Sequence, residues 1–336
     1  MFSRLMNSYY YGKSGKGDYR KDDLPRNRWQ LFWEMLRIRF TALCRLNLTV
    51  MLAWIPTIVV LVMTLNVVIS VSRIETQVDP ATGVSYTAFV YDEQVDENGV
   101  VTAPAHSEAA EGLFQTTLLL LIPCILITGP VQAGMAYVTR NWARDEHAFP
   151  WSDFKDAVKG NWKQALGVSA ITAVLPFVLF TCYRFYGAMA GQSMLYMVPQ
   201  MLTVALGIVW VLGLVFMYPM MVSYRVTFRQ LIKNSLMLAV ARLPMTVGVR
   251  LVTLLPMAIA LVVMLFTTAW VYAMMALILY YVILGFALVR FIHASFTNGV
   301  FDRYINSRME GVEINRGLAK EEEEDFTEED EPDDVK

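Results

Sequence analysis

Apolar residues in this chain form long blocks that alternate with basic or polar segments. Four blocks, at residues 47–71, 113–138, 165–187 and 198–222, are long enough to cross a bilayer as helices, for which about 20 apolar residues suffice. A fifth apolar stretch runs from about residue 251 to 289 and contains no charged residue. The pattern therefore predicts at least five membrane-spanning helices.

The fifth stretch is too long for one span. As a single helix it would reach about 58 Å, nearly twice the hydrocarbon core of about 30 Å. Its least apolar point is Thr267-Thr268, and Trp270, which suits a membrane interface, follows closely. We therefore expect two spans here, at 249–267 and 270–290, and six in total.

Basic residues are distributed asymmetrically between the spans. Alternate flanking segments hold 26 of the 28 lysines and arginines, and the other segments hold 2. Because basic loops stay in the cytoplasm, this bias predicts that both termini and the loops 139–164 and 223–250 are cytoplasmic, and that residues 73–112 lie outside. A count of five or seven spans would break the alternation.

The predicted fold class is all-α: a polytopic helix bundle of six transmembrane helices in a cell membrane, with interfacial amphipathic helices. Residues 1–46 are expected to form a cytoplasmic segment with an amphipathic helix, and residues 47–290 the six-span domain. The cytoplasmic tail, residues 291–336, carries acidic runs such as Glu321 to Asp325. These are too charged to bury a core, so we expect the tail to be largely disordered.

Composition agrees with a membrane environment. Hydrophobic residues make up 56% of the chain and charged residues 17%, against about 45–50% and about 25% in soluble proteins. The expected partner is therefore the lipid bilayer, and no nucleic acid is expected. The cysteines Cys44, Cys124 and Cys182 are odd in number and widely spaced, which argues against a disulfide framework or a zinc site.

The outside loop, residues 73–112, carries eight acids and one base. Turn-forming segments near Asp79 and Asp96 flank residues 85–91, whose composition favours a strand. Two interpretations remain open, a small β-hairpin or flap and an acidic spacer.

Three stretches share one layout, a basic segment followed by a span with a proline shortly after its start. The prolines are Pro56, Pro176 and Pro256. This layout fits three helical-hairpin repeats, but basic loops and prolines are also common in membrane proteins generally.

Residues 128–166 carry the most information. Gly129 and Gly134 are small residues that let another helix approach closely, and Pro130 should kink the helix near its cytoplasmic end. Gln132 is polar and lies beside that kink, so we expect it to form an interhelical hydrogen bond.

Trp151, Phe154, Val158 and Trp162 recur at helical spacing, with lysines on the remaining positions. The pattern predicts an amphipathic helix over 151–164 that lies along the membrane surface with these four residues toward lipid. Two roles are open: an anchor that holds two spans at a fixed depth, or a docking surface for a cytoplasmic partner. The candidate interaction surface comprises Arg140, Asn141, Arg144, Trp151, Asp153, Phe154, Asn161, Trp162 and Lys163.

These residues, with Gly129-Pro130 and Glu146-His147, resemble the hallmark stretch of the YesL-like family of bacterial multispan membrane proteins. Gly15, Gly17 and Asp18, and then Leu46-Asn47-Leu48 and Pro56, are similar to the start of that family's longer members. The likeness covers residues 1–60 and 128–166. That family has no established biochemical activity, and the resemblance implies an accessory role associated with carbohydrate uptake.

Motifs for catalysis or metal binding are missing from the sequence. Gly12-Lys13-Ser14 lacks the upstream glycine of a phosphate-binding loop, and His106, His147 and His293 lie in different segments. We therefore expect no enzyme, no catalytic residue, no metal site and no cofactor.

The function predicted is a non-catalytic accessory or scaffolding component of the cell membrane that binds transporter subunits or another membrane protein. The alternative is a substrate-conducting permease subunit that uses the proline kinks as flexible points. The spans contain no ionisable residue near the expected midplane, which disfavours ion-driven transport.

Overall fold

Helices account for most of the described chain, which in this computed structural model comprises residues 24–71, 73–78, 85–90, 105–266 and 270–319. The helices are α1 (Arg28–Val71), α2 (Ala105–Trp142), α3 (Ser152–Ala190), α4 (Met197–Ser223), α5 (Phe228–Ala241), α6 (Leu243–Phe266), α7 (Trp270–Tyr280) and α8 (Phe286–Tyr304). A π-helical turn, Tyr281–Gly285, joins α7 to α8, and short 3-10 turns occur at Met194–Tyr196 and Asn306–Arg308.

Six of these helical segments are long and apolar enough to cross a membrane, as predicted. They lie in α1, α2, α3, α4, α6 and the continuous run from α7 through α8. The protein is therefore an all-α polytopic bundle. The predicted division of the fifth apolar stretch is also confirmed, because α6 and α7 are separate helices that pack against each other.

Neighbouring helices in the sequence pack as hairpins, with α2 against α3 and α3 against α4. Glu111 and Arg184 form an ion pair at one end of the α2–α3 hairpin. Helix α8 closes the bundle, since it contacts α1, α2, α4 and α6. One apolar core surrounds Phe216 of α4, and a second surrounds Phe291 of α8.

The acidic loop, residues 73–112, contains the two strands β1 (Arg73–Val78) and β2 (Ser85–Val90). They pair antiparallel, with Arg73 opposite Val90 and Val78 opposite Ser85. The loop therefore includes a β-hairpin, and its second strand lies where the composition of residues 85–91 predicted one.

Residues 151–164 do not form a separate helix along the membrane surface, so that prediction is wrong. Ser152–Ala190 is one helix of 39 residues, about 58 Å long, which includes the predicted third span. Helix α1 is likewise continuous over 44 residues, from the N-terminal segment through the first span. A separate short amphipathic helix does occur elsewhere, as α5, which buries Leu231, Ser235 and Ala239.

The predicted tail, residues 291–336, begins with folded structure. Helix α8 extends to Tyr304 and buries Phe291, His293 and Asp302. Residues up to 319 then lie against the bundle, where the amide of Ala319 donates to the carbonyl of Pro25 at 3.0 Å. The acidic run from 320 onward lies outside the described residues.

Candidate functional site

The α2–α3 corner is defined as residues 129–164, which are the end of α2, the turn after it and the start of α3. It contains the candidate interaction surface predicted from the sequence. Its turn is closed by the Asn141 carbonyl, which accepts from the amides of Arg144 and Glu146 at 3.1 and 2.9 Å. Asp145 has a φ of 55°, a left-handed conformation that asparagine and aspartate tolerate better than most residues. The turn therefore reverses the chain within a few residues.

Gly129 and Gly134 allow α3 to pack closely on α2. A Cβ atom at Gly129 would lie 2.6 Å from the carbonyl oxygen of Ala165 and closer still to Ser169. A Cβ atom at Gly134 would lie 2.7 Å from Phe154 and 2.8 Å from Val158. Neither contact is sterically tolerable, so both positions require glycine in this packing.

Pro130 creates a hydrogen-bonding defect that α3 repairs. Because proline has no amide hydrogen, the carbonyl of Leu126, four residues earlier, loses its helical donor. The buried hydroxyl of Ser169 donates to this carbonyl at 3.0 Å. The same hydroxyl also lies 3.1 Å from the carbonyl of Leu166, so its single hydrogen is shared. Gly129 provides the space in which Ser169 reaches α2.

Gln132 lies in the interior of the bundle, where its side-chain oxygen accepts from Nε of Arg290 at 2.6 Å. The guanidinium of Arg290 also lies 4.4 Å from the ring centre of Tyr218. The sequence placed Arg290 at the end of a span, but the helix continues for 14 further residues to Tyr304. Arg290 is therefore a cation inside the bundle that sequence reasoning missed.

Arg140, Asn141 and Arg144 are part of the folded corner and do not stand free. Arg140 Nη1 donates to Asn141 at 3.3 Å, and its carbonyl accepts from Asn298 of α8 at 3.4 Å. The side chain of Arg144 is only 10% exposed and lies 3.5 Å from Glu146. Glu146 also pairs with Arg316 at 2.5 Å, and this contact raises the pKa of Arg316. These charges hold the C-terminal segment against the corner.

The predicted lipid-facing residues divide between two sides of α3. Phe154 is buried and, with Val158, packs against Gly134 of α2, so the prediction that these two face lipid is wrong. Both α2 and lipid are apolar, and helical periodicity cannot distinguish them. Trp151 and Trp162 are exposed, at 58% and 49%.

Asp153 and Asn161 make local contacts. The Asp153 carboxylate accepts from the amide of Phe149 at 2.9 Å, which fixes the approach to α3. Asn161 donates to the carbonyl of Ala157 at 2.9 Å within the same helix. Both side chains are half-buried.

The outward side of this part of α3 is a basic–aromatic face, defined as Trp151, Lys155, Lys159, Trp162 and Lys163, all exposed. At about 100° per residue these five positions fall within roughly one third of the helix circumference. The ammonium of Lys155 lies 4.4 Å from the ring centre of Trp151, and that of Lys163 lies 5.6 Å from Trp162. The face thus presents two aromatic rings together with three positive charges.

A second polar network joins α1 to the end of α8. Arg28 forms a salt bridge with the buried carboxylate of Asp302 at 2.7 Å, and Asp302 accepts from Asn306 at 2.5 Å. The hydroxyl of Tyr224 donates to Asn306 at 2.7 Å, and burial raises the pKa of this tyrosine to about 12. The sequence analysis did not single out Asp302, because it ended the last span at residue 290. A single acid in a helix that otherwise lacks acids could have indicated a buried ion pair.

Asn47 stabilises the π-helical turn. Its side-chain nitrogen donates to the carbonyls of Tyr281 and Val282 at 2.8 and 2.7 Å, and its oxygen accepts from the amide of Ala287 at 2.9 Å. A π-helical turn interrupts regular helical bonding, and inside a membrane each freed backbone group needs a protein partner. Asn47, which is fully buried, supplies three such bonds.

Among the residues that the structure describes, no group of three or more His, Cys, Asp or Glu side chains lies close enough together to hold a metal ion. His147 is exposed and its ring lies against Phe149, with the ring centres 4.6 Å apart. His293 is buried in α8, far along the chain from His147. The three cysteines are free thiols.

Comparison with known proteins gives one family match. Residues 109–183, which cover most of α2, the α2–α3 corner and most of α3, match the family described as "Protein of unknown function, DUF624". No curated protein and no solved structure matches the chain. The matched segment is therefore the hairpin that carries both the close helix packing and the basic–aromatic face.

Proposed function

We propose that this protein is a non-catalytic accessory component of the cell membrane that docks a partner protein through the basic–aromatic face of α3. The observation that carries the proposal is the exposure of two tryptophans and three lysines on one side of a helix that continues beyond its membrane span. Tryptophan is enriched among the residues that dominate binding energy at interfaces. Lysines around it favour an acidic partner surface and speed encounter.

The length of α3 favours a protein partner over lipid headgroups. The apolar part from residue 165 suffices to cross the hydrocarbon core of about 30 Å. Residues 152–164 then extend about 20 Å further. The headgroup layer on each side is only about 5–8 Å thick, so most of the face reaches water, even with an ordinary tilt of about 20°.

The proposed orientation places this face in the cytoplasm, together with both termini. Its support is the concentration of 26 of the 28 basic residues in alternate segments. The test uses a variant of the protein from which the three native cysteines have been removed. In intact cells, Asn234→Cys on the exposed side of α5 should not react with an impermeant thiol reagent. A cysteine at Ser85 on β2 should label. The opposite pattern would contradict the orientation.

The partner that we propose to test first is a subunit of a carbohydrate transporter. The support is the resemblance of residues 1–60 and 128–166 to the YesL-like family, whose members are often associated with sugar uptake. An acidic, partly apolar patch on a cytoplasmic transporter subunit would match two rings and three ammonium groups.

The test uses a photo-crosslinking residue at Lys159, with a matched probe at Met237, which is exposed on α5 outside the face. We expect one dominant protein adduct at 159, none at 237, and loss of the adduct in Trp151→Ala/Trp162→Ala protein that melts at the wild-type temperature. The yield should also fall as salt is raised. Adducts to lipid alone, or equal adducts at both positions, would contradict the proposal.

A further inference from the structure

A groove of about 1180 Å³ opens on the side of the bundle, and none of its lining residues belongs to the α2–α3 corner. Its floor is α8, and its walls are the first turns of α1 and the first turns of α6. Both walls contact α8. This volume exceeds the about 300–1,000 Å³ of ordinary small-molecule pockets. The groove is therefore large enough for an elongated amphiphile.

Each helix turns one apolar stripe toward the groove. The stripe of α1 includes Trp29 and Trp33, that of α6 includes Met245 and Val252, and that of α8 runs from Leu288. From Leu288 to Arg303 the floor extends over about 22 Å of helix. This length suits an extended hydrocarbon chain that lies along α8.

The groove has unfilled space at its wall. Gly248 of α6 lines it, and a Cβ atom at that position would meet no atom within 4 Å. Trp29 and Trp33 remain 68% and 52% exposed at the rim. Tryptophan rings of this kind combine an apolar face with a polar N–H, so this end of the groove suits the polar part of an amphiphile.

Charge is concentrated at that same end. Arg28, Arg242 and Arg303 line it together with one acid, Asp302. Arg28 neutralises Asp302 through their salt bridge at 2.7 Å. The lining thus keeps two positive charges in excess.

The two remaining arginines lack an acidic partner. In the part of the chain that the structure describes, neither Arg242 nor Arg303 forms a salt bridge. Arg242 reaches only the hydroxyl of Tyr304 at 3.5 Å and the sulfur of Met245, and its Nε is buried without a hydrogen bond. An anion at this end would complete the hydrogen bonding of Arg242 and would form a charge-assisted pair with the exposed Arg303.

We propose that the groove binds one anionic phospholipid, with an acyl chain along α8 between α1 and α6 and the phosphate between Arg242 and Arg303. Apolar walls, exposed tryptophans at the rim and two positive charges in excess at one end match the acyl chain and the anionic headgroup of such a lipid. Basic pockets between membrane helices bind anionic headgroups by this chemistry.

The test titrates detergent-purified protein with dioleoyl phosphatidylglycerol or dioleoyl phosphatidylcholine and counts retained lipids by native mass spectrometry. Wild-type protein should retain one phosphatidylglycerol in clear preference to phosphatidylcholine. Arg242→Gln and Arg303→Gln should each weaken phosphatidylglycerol binding about fivefold. Arg229→Gln removes an exposed arginine of α5 outside the groove and should leave binding unchanged.

Filling the groove tests the acyl-chain site separately from the charges. Gly248→Phe places a ring in open space, so it should fold normally and lower the retention of both lipids. The matched control is Gly160→Phe, since a Cβ atom at Gly160 also meets nothing within 4 Å and Gly160 does not line the groove. Melting temperature measured without added lipid confirms folding in both variants.

Three results would overturn the proposal. Wild-type retention by Gly248→Phe would show that the lipid binds elsewhere. Displacement of phosphatidylglycerol by inorganic phosphate at the same concentration would show a site for a soluble anion. A dimer that Gly248→Phe dissociates, with no retained lipid, would show that a second copy of the chain covers the groove.

Discussion

The two sides of the α2–α3 corner differ in what their side chains touch. On the inward side, Gly129 and Gly134 bring α3 against α2, and Arg144 is sealed beneath the C-terminal segment. On the outward side, Trp151 and Trp162 have about half of their surface exposed and lie beside lysines of their own helix, and Trp151 also stacks on Phe154 with the ring centres 6.4 Å apart.

This difference separates folding from recognition within one short segment. Residues that close helix packing requires cannot be changed without moving a neighbouring helix. Exposed aromatic rings contribute little to the stability of the bundle, so a binding role is the physical reason that we propose for them. The inward and outward residues should therefore respond to substitution in opposite ways.

The largest effect is expected at the tightest inward contact. Gly129→Leu would drive a side chain into the backbone of Ala165 and into Ser169, and we expect a loss of about 3 kcal/mol or more in the free energy of unfolding. Thermal unfolding in detergent measures the loss. Gly160→Leu is the matched control, because that position faces open space. Equal melting temperatures for the two variants would contradict the packing of α2 on α3.

A smaller loss is expected for the buried charge of the corner. Arg144→Ala removes a partner of Glu146, which keeps its bond to Arg316, so the cost should be about 2 kcal/mol. Lys159→Ala, on the outward face, should change stability by about 0.5 kcal/mol or less. Chemical denaturation monitored by tryptophan fluorescence compares the two. A stable Arg144→Ala protein would return Arg144 to the set of candidate docking residues.

The hydrogen bond from Ser169 to the carbonyl of Leu126 should contribute about 1 kcal/mol to the free energy of unfolding. Ser169→Ala leaves the carbonyl of Leu126 without its donor from α3, and such interhelical bonds in membranes contribute about 0.6–2 kcal/mol. Thr181→Val is the control, since that exposed hydroxyl bonds only to the carbonyl of Phe177 in its own helix. A larger loss for Thr181→Val would show that the Ser169 contact does not stabilise the hairpin.

The features that could be predicted from the sequence are those that depend on hydrophobicity and composition along the chain. Six spans and the division of the fifth apolar stretch into α6 and α7 follow from the length of the apolar blocks, because a bilayer of fixed thickness limits the length of each span. The strand at Ser85–Val90 follows from composition and flanking turns.

Contacts between distant segments could not be predicted in this way. Asn47 bonds to a π-helical turn 234 residues later, and Arg28 pairs with Asp302 across 274 residues. Phe154 was assigned to lipid because spacing shows that a face is apolar, without showing what covers it. The same limit explains why Arg140 and Arg144 were grouped with Trp151 and Trp162 in one candidate surface.

We propose that the inward residues of the α2–α3 corner serve folding and the outward residues serve docking. The most direct test measures partner recovery and melting temperature on the same purified samples. Trp151→Ala/Trp162→Ala should melt at the wild-type temperature and recover at least about tenfold less of the partner crosslinked at residue 159, since losing two anchoring aromatics costs more than about 1.4 kcal/mol of binding. Arg144→Ala should melt lower, and its folded fraction should recover the partner normally. Normal recovery by the double tryptophan variant, or a fall in its melting temperature equal to that of Arg144→Ala, would contradict docking through the outward face.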